Sequence, residues 1–322
     1  MATDLIEILL ATYNAEKYLS SQLDSIIGQS FKNWKIIIRD DNSEDSTVEI
    51  INNFRKKYPE KILIINDTKQ NLGVCGNFSE LLKNSHSDYV MFCDQDDIWL
   101  KYKIEITFQK MKDMENKFGS KCPILVHTDL VVVDKNLKKI SNSFWKFSHL
   151  NPETQKKIQR LLIQNFVTGC TIMINRELKN ISPIVPDDAF CHDSWLALVA
   201  CAFGKIKSVP IPTVLYRQHQ KNVFGGKKWN HFTFLLNAIS TIIDQRMFEV
   251  IKEEKKQTRR LYNQAKSFYN YYSKKLDNKQ SRIVLNFSNM ESCNLVDRRL
   301  KLLRYGFFKP GIARNLKLLL YV

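Results

Sequence analysis

A chain of 322 residues with 44% hydrophobic content is long enough for one large domain and a smaller one, and it excludes wholesale disorder. No uninterrupted apolar stretch approaches the ~20 residues needed to span a bilayer, and the first apolar run, flanked by Asp4 and Glu7, is too short for a secretory signal. The net charge of +16 is uneven: residues 227–322 hold 20 Lys+Arg against 7 Asp+Glu, so the basic character sits in the C-terminal third and points to an anionic partner surface, nucleic acid or membrane.

Leu5–Leu10 reads as a short apolar strand, followed by Thr12-Tyr13-Asn14 and an amphipathic helix from about Ala15 to Ile27. Trp34–Ile38 predicts a second buried strand that runs into Arg39-Asp40-Asp41-Asn42-Ser43. Glu44-Asp45-Ser46 opens the next helix with acids in its first turn, as the helix dipole favours. Lys61–Ile65 predicts a third strand, Asn71-Leu72-Gly73 begins a helix to about Asn84, and Tyr89–Cys93 predicts a fourth strand. The alternation predicts an α/β fold, a mostly parallel sheet with helices on both faces. Right-handed crossovers then put the acidic turns Asp40-Asp41 and Asp94–Asp97 on one rim. No G-x-G-x-x-G follows the first strand and no G-x-x-x-x-G-K-[ST] occurs, so the rim suits nucleotide phosphates and not a dinucleotide.

The fourth strand ends in Asp94-Gln95-Asp96-Asp97, three carboxylates within four residues. Such acids cannot follow the strand into the core without partners. They belong at its carboxyl end, where open α/β sheets bind ligands. Asp94 and Asp96 are two apart and point to the same side of an extended chain. A hard divalent cation carrying phosphate oxygens would relieve their repulsion. Capping the helix at Lys101–Phe118 would need one acid only.

Farther on, Ile124–Asp134 holds strand-like residues interrupted by Thr128-Asp129. Asn165–Ile174 predicts a strand in which Gly169 allows close backbone approach. Asp187-Asp188 precede His192-Asp193-Ser194-Trp195, which opens an apolar helix ending near Phe203. Ile206–Val209 and Thr213–Tyr216 predict two short strands, after which Arg217–Asn222 leaves the core toward Gly225-Gly226. From Trp229 on the pattern is helical, which predicts one domain over 1–226 and a basic helical region over 227–322. The seven cysteines are scattered without a Cys-x-x-Cys pair, which fits reduced thiols and excludes a disulfide framework or structural zinc.

Four motifs, in order, resemble the family 2 glycosyltransferases, inverting enzymes of GT-A fold that use nucleotide sugars. They are Leu9-Leu10-Ala11-Thr12-Tyr13-Asn14, Asp40-Asp41-Asn42-Ser43, the D-x-D-like Asp94-Gln95-Asp96-Asp97, and His192-Asp193, where the family usually has Glu-Asp. The resemblance covers about residues 4–226. More narrowly, Cys93–Trp99, His192–Trp195 and Tyr216–Asn222 resemble a bacterial rhamnosyltransferase branch that builds cell-surface polysaccharides. The resemblance implies a dTDP-L-rhamnose donor, a glycan or lipid-linked acceptor, and Mg²⁺ or Mn²⁺; a UDP-hexose or UDP-N-acetylhexosamine donor on the same fold is the alternative. It implies that Ala11, Thr12, Tyr13, Asp41, Asn71, Asp94 and Gln95 meet the nucleotide, Asp41 taking the pyrimidine N3–H and Tyr13 packing on the base. Asp94, Asp96 and His219 would hold the metal, and Asp193 would be the general base, with Asp187 and Asp188 as rivals. Asp97, Trp99, Gly169, Cys170, His192 and Trp195 would lie around the sugar or acceptor, and Arg217 and Lys221 would meet phosphate charge.

Phe232–Met247, Val250–Lys275 and Ser292–Arg304 read as helices with basic faces, and Tyr262, Phe268, Tyr269, Tyr271 and Tyr272 interleave with Lys and Arg. One reading is a helical appendage with solvated lysines. The other is a surface for anionic lipid that would hold a cytoplasmic enzyme on the inner membrane face, near a lipid-linked acceptor. Arg298–Arg304, Phe307-Phe308-Lys309 and Leu316–Tyr321 suit the second. No RNA-binding or helix-turn-helix signature accompanies the charge, which weighs against nucleic acid. A homo-oligomer stays open.

Overall fold

The apolar runs of the first hundred residues pair as parallel strands in the computed structural model, which describes residues 4–219 and 246–321. Strand β1 (Ile6–Thr12) lies between β2 (Trp34–Asp40) and β4 (Tyr89–Cys93), and β3 (Ile62–Ile64) flanks β2. All three pairings are parallel, with Leu10 opposite both Ile38 and Cys93. The connecting helices are α1 (Leu19–Ile27), α2 (Thr47–Lys57) and α3 (Gly73–Lys83). On α1 the buried residues Leu19, Gln22, Leu23 and Ile26 follow helical spacing, so one stripe packs on the sheet. Each fully buried Ile of β1 and β2 contributes about 1.5–3 kcal/mol, enough together to hold acidic turns at the strand ends.

Beyond β4 the sheet becomes mixed. The remaining elements are β5 (Ile98–Trp99), α4 (Lys103–Phe118), β6 (Ile124–Asp134), β7 (Lys139–Ser141), β8 (Ile172–Asn175), α5 (Arg176–Ile181), α6 (His192–Phe203) and β9 (Lys205–Gln218). The sheet order is β3-β2-β1-β4-β8-β6-β9-β5, with β7 on β6. Strand β8 is antiparallel to both neighbours, whereas β6 and β9 are parallel.

Two expectations change here. The strand expected over Asn165–Ile174 shrinks to β8, because Gly169–Thr171 forms a 3₁₀ turn and the Gly169 N–H is taken by Asp193 instead of a ladder partner. The two short strands expected around Pro210 and Pro212 form one long strand, β9. Its register on β6 shifts from Thr128–Val209 to Asp129–Pro212, so the irregularity falls where proline lacks an N–H.

The described residues form two compact units: 4–144, 167–187 and 191–219 in the first, and 145–166, 188–190 and 246–321 in the second. The second unit holds α7 (Arg246–Tyr272), α8 (Asn278–Ser288), α9 (Leu295–Tyr305) and α10 (Ile312–Tyr321), with a helical turn at Ile158–Ile163. Asp277 and Gln280 cap α8 reciprocally, and Gly306 ends α9 in the left-handed region at φ 69°. Its core packs Tyr262 edge-on against Phe287, and Phe287 at a tilt against Phe307. Of the aromatics expected at a basic surface, Tyr262, Phe268 and Tyr272 are buried and Tyr271 is exposed. The boundary expected at residue 226, Lys221 and most of the helix expected over Phe232–Met247 lie outside the described residues.

One buried charge anchors the β2 end of the rim. Arg39, 1% exposed, donates to Asp67 through Nε and Nη2, at 2.9 and 3.0 Å, and to Asp41 through Nη1 at 3.0 Å. The Arg39 hydrogen bonds hold the Asp67 carboxyl below its usual range. Such a group stabilises the fold above its unfolded pKa of about 3.9, and that contribution is lost as pH falls through the lower folded value. Asp67→Asn should therefore cost about 1–3 kcal/mol in urea melts near neutral pH, and its gap from wild type should narrow in acid. Arg39→Met, which strands two carboxylates, should cost about 3–5 kcal/mol. A gap for Asp67→Asn that stays constant with pH would mean the pair contributes no charge stabilisation.

Candidate active site

Because β1, β2 and β4 are parallel, their carboxyl ends form one rim. Asp40 ties the first two ends together, its carboxylate accepting from Thr12 Oγ1, the Ser43 amide and Ser43 Oγ, each at 2.7 Å. The chain then turns through Asn42 and, before α3, through Asn71, both in the left-handed region at φ 71° and 54°. Asp41 is 4% exposed and accepts from Arg39 Nη1 and the Leu72 and Gly73 amides. It caps α3, whereas the helix nearer in sequence, α2, has its Thr47 amide held by Asp45. A carboxylate has about four acceptor positions, so these three bonds leave Asp41 room for one more.

Across the rim, Gln95 Oε1 accepts from the Tyr13 amide at 2.7 Å and its Nε2 donates to the Tyr13 carbonyl at 3.0 Å. Gln95, expected to meet a nucleotide, thus uses both ends of its amide to fasten the acidic turn to β1. Tyr13 itself is 49% exposed, Ala11 half-buried and Thr12 buried, and Asn71 is exposed.

The acids divide by depth. Asp94 and Asp96 are half-buried, whereas Asp97 is fully buried. Burial first, then Asp96 and Asp193, push the Asp94 carboxyl up to about 7. Asp96 Oδ2 lies 2.7 Å from His219 Nε2, and the His219 ring stacks on Tyr18 at 5.0 Å. The Arg217 guanidinium lies over the same Tyr18 ring, 4.5 Å from its centre. It is 4% exposed and donates to the Asp96 and Lys135 carbonyls at 2.7 and 2.9 Å, and its amide donates to Asp97. Arg217 therefore straps β9 to the acidic turn instead of standing in solvent.

Beneath the turn lies Lys103, 0% exposed, with its ammonium 4.5 Å from the Trp99 ring centre. Burial pushes it down to about 8 and pushes Asp97 and Cys170 up. Neither Lys103 nor Tyr18 is a candidate on sequence grounds. The spacing Lys103, Thr107, Met111, Met114 is nonetheless that of one buried helix face, which marks Lys103 as interior.

Two donor sets could take a cation. Asp94, Asp97 and Cys170 bring ligand-type atoms within 4.8 Å of one another. Cys170 and Asp97 are fully buried, and a thiol pushed up by burial stays protonated. Asp94, Asp96 and His219 offer oxygen and nitrogen at the accessible level, a set that suits Mg²⁺ or Mn²⁺. By donor chemistry the second set suits a hard ion, although among the described residues it is the first set, not the second, whose ligand atoms gather within 4.8 Å.

Asp193 reaches the same rim from the start of α6. Its Oδ2 accepts from the Gly169 amide at 3.1 Å and its Oδ1 from the Ser194 amide. The residue before it turns inward: His192 is 2% exposed, with its ring 4.0 Å from that of Phe78 and 5.2 Å from that of Phe92. Burial pushes His192 down to about 3, so it is neutral. Of the residues expected around a sugar or acceptor, His192, Trp99, Cys170 and Trp195 are packed in the interior instead, Trp195 donating to Ser182 Oγ at 2.8 Å. Asp187 is exposed in the first unit, and Asp188, in the second, accepts from Ser267 Oγ at 3.2 Å.

The model of Glycosyl transferase family 2 matches residues 7–181. The dTDP-rhamnosyl transferase RfbG of Shigella flexneri is 29% identical over 236 residues, 67% of this chain and 74% of that protein. S. aureus TarS 1-349 in complex with UDP-GlcNAc shares the fold at TM-score 0.53 and 17% identity, over 92% of this chain and 83% of that one. The mannosyltransferase PcManGT from Pyrobaculum calidifontis in complex with GDP-Man and Mn²⁺ shares it at TM-score 0.54 and 12% identity, over 99% of this chain and 84% of that one.

The Gly169 backbone and the His192 ring leave no space between them: a Cβ on Gly169 would stand 2.5 Å from His192 Nε2. Gly169→Ala should cost about 1–3 kcal/mol by overpacking, read in urea melts. In a double-mutant cycle with His192→Ala most of that extra cost should vanish. Additive costs would place the strain elsewhere.

Proposed function

The chain belongs to Glycosyl transferase family 2, and on that premise we propose that it is an inverting transferase moving L-rhamnose from dTDP-L-rhamnose onto a glycan or lipid-linked acceptor of cell-surface polysaccharide. The observation that carries the reading is the convergence of Asp94, Asp96, His219 and Asp193 on the rim beside Asp41. In this reading Asp41 takes the pyrimidine N3–H at its remaining acceptor position, and Tyr13 covers the base with its exposed ring. Asp94, Asp96 and His219 would hold Mg²⁺ or Mn²⁺, which when bound neutralises the departing nucleotide diphosphate as a Lewis acid. The Mn²⁺ in the PcManGT complex supports that choice.

Asp193 accepts the proton of the acceptor hydroxyl as its oxygen attacks the anomeric carbon opposite the diphosphate. One displacement inverts that carbon, so no glycosyl-enzyme forms and no second nucleophile is needed. The Gly169 and Ser194 amides fix the aim of the Asp193 carboxylate. The Shigella relative supports rhamnose as the sugar. The TarS complex with UDP-GlcNAc supports a second reading, a UDP-hexose or UDP-N-acetylhexosamine donor in the same rim. A thermal-shift screen with Mn²⁺ separates them, since a bound donor stabilises the fold by mass action. The rhamnose reading requires a rise with dTDP-L-rhamnose that UDP-glucose, UDP-galactose and UDP-GlcNAc do not match.

Two substitutions test the roles. Asp96→Asn should abolish turnover with the fold intact, as should excess EDTA on the wild type. Full activity in either case would sink the metal assignment. Asp193→Asn should lower kcat about 10²–10⁴-fold while donor affinity holds, because the base touches the acceptor and not the nucleotide. If Asp193→Asn stays active while Asp188→Asn is dead, the base is misassigned.

A further inference from the structure

The second unit turns an apolar face outward. On α9 the side chains of Val296, Leu300 and Leu303 are 65%, 58% and 59% exposed, and on α10 Ile312 is 80% exposed and Leu316 56%. A scattered surface leucine needs no explanation. These five fall at intervals of three and four, so each helix carries a solvent-facing apolar stripe opposite its buried side, marked by Leu302 and Leu318. At 3.6 residues per turn, Arg299 and Arg304 flank the α9 stripe on either side. Arg299 Nε also donates to the Leu319 carbonyl at 3.0 Å, which ties the two helices.

The charge around the stripe is of one sign. Residues 294–321 hold seven lysines and arginines against one acid, Asp297. Next to the stripe, Arg304 joins Lys279 and Arg282 in lining a groove of about 500 Å³ that no carboxylate among the described residues lines. An aliphatic centre bordered by arginines is the pattern of a helix lying in a membrane interface, its leucines among the acyl chains and its cations among anionic headgroups.

We infer that α9 and α10 form a docking surface for an anionic lipid bilayer, with Leu300 and Leu303 entering the leaflet and the Lys279–Arg282–Arg304 groove receiving lipid phosphate. A second copy of the chain would bring the same cations face to face, which disfavours a symmetric dimer here. Nucleic acid would match the charge, but the exposed stripe is aliphatic and offers bases no aromatic face, Tyr305 being the one aromatic among the groove's described lining. No helix among the described residues is long and apolar enough to cross a membrane. The inference is independent of which sugar the enzyme carries.

Cosedimentation of the full chain with phosphatidylglycerol vesicles tests it, with phosphatidylcholine vesicles as the neutral arm. The wild type should bind the first at least tenfold more tightly than the second. Leu300→Glu with Leu303→Glu should weaken that binding tenfold or more, as should Arg282→Glu with Arg304→Glu. The milder pair Leu300→Ser and Leu303→Ser, with far-UV circular dichroism of each variant, separates lost binding from lost folding and should weaken binding in the same direction. Free inorganic phosphate should not compete at the concentration of lipid phosphate, since it cannot supply the apolar half. The inference is overturned if the wild type ignores phosphatidylglycerol vesicles at low salt, or if the folded leucine variants bind like wild type. It is also overturned if those variants only dissolve a dimer seen by light scattering.

Discussion

Like charges gathered at the ends of parallel strands repel, and the rest of the first unit is arranged around that constraint. Parallel register brings Asp40, Asp41 and the Asp94–Asp97 turn to one rim, and α6 adds Asp193. The chain supplies cations at the rim: Arg39 pairs with Asp41, and Arg217 donates to the Asp96 carbonyl beside the acidic turn. Asp41 is thus compensated by the protein itself, whereas Asp97 is pushed up by burial and keeps Oδ2 without a hydrogen-bond partner among the described residues. Asp94 and Asp96, at the accessible level, are the ones for which a bound cation is the natural complement.

The same division of labour separates holding from binding. Asp40, Gln95 and Arg217 direct hydrogen bonds at neighbouring backbone or side chains and fix the two loops of the rim. Tyr13, Asp94 and Asp96 keep surface exposed on the same rim. Rigid support under a few accessible groups is what a transfer reaction needs, because its geometry must be set before the leaving group departs.

The sequence made the parallel half of the sheet legible because apolar runs of five to seven residues alternate with amphipathic segments there, and β4 begins and ends where that pattern predicts. It misled where a side chain outbids the ladder: Asp193 captures the Gly169 amide, and a strand becomes a 3₁₀ turn. Motif spacing located the acids, but it could not separate Gln95, which fastens a loop, from a ligand-binding amide. Nor could it show that His192 faces Phe78 while its neighbour faces the rim, since only the start of α6 sets those directions. In the second unit, periodicity found helices, but not which aromatics were interior. Tyr262 packs on Phe287 and Phe268 on Tyr272 in the core, Tyr271 stays exposed, and the outward stripe of α9 and α10 is aliphatic.

The second unit is discontinuous in the chain. Leu161, Leu162 and Phe166 are buried within it, yet they are made long before α7 and α8, the helices that share their unit. At about 5–20 residues per second, a ribosome needs roughly 6–24 s to travel from Phe166 to Phe287. Throughout that interval the growing chain carries an apolar segment without α7 and α8, the helices of its own unit, while β1, β2 and β3 already have their strand partners. Synthesis thus creates a window in which that apolar segment waits for the helices of its unit, and a slow stretch of translation within residues 167–287 would lengthen it.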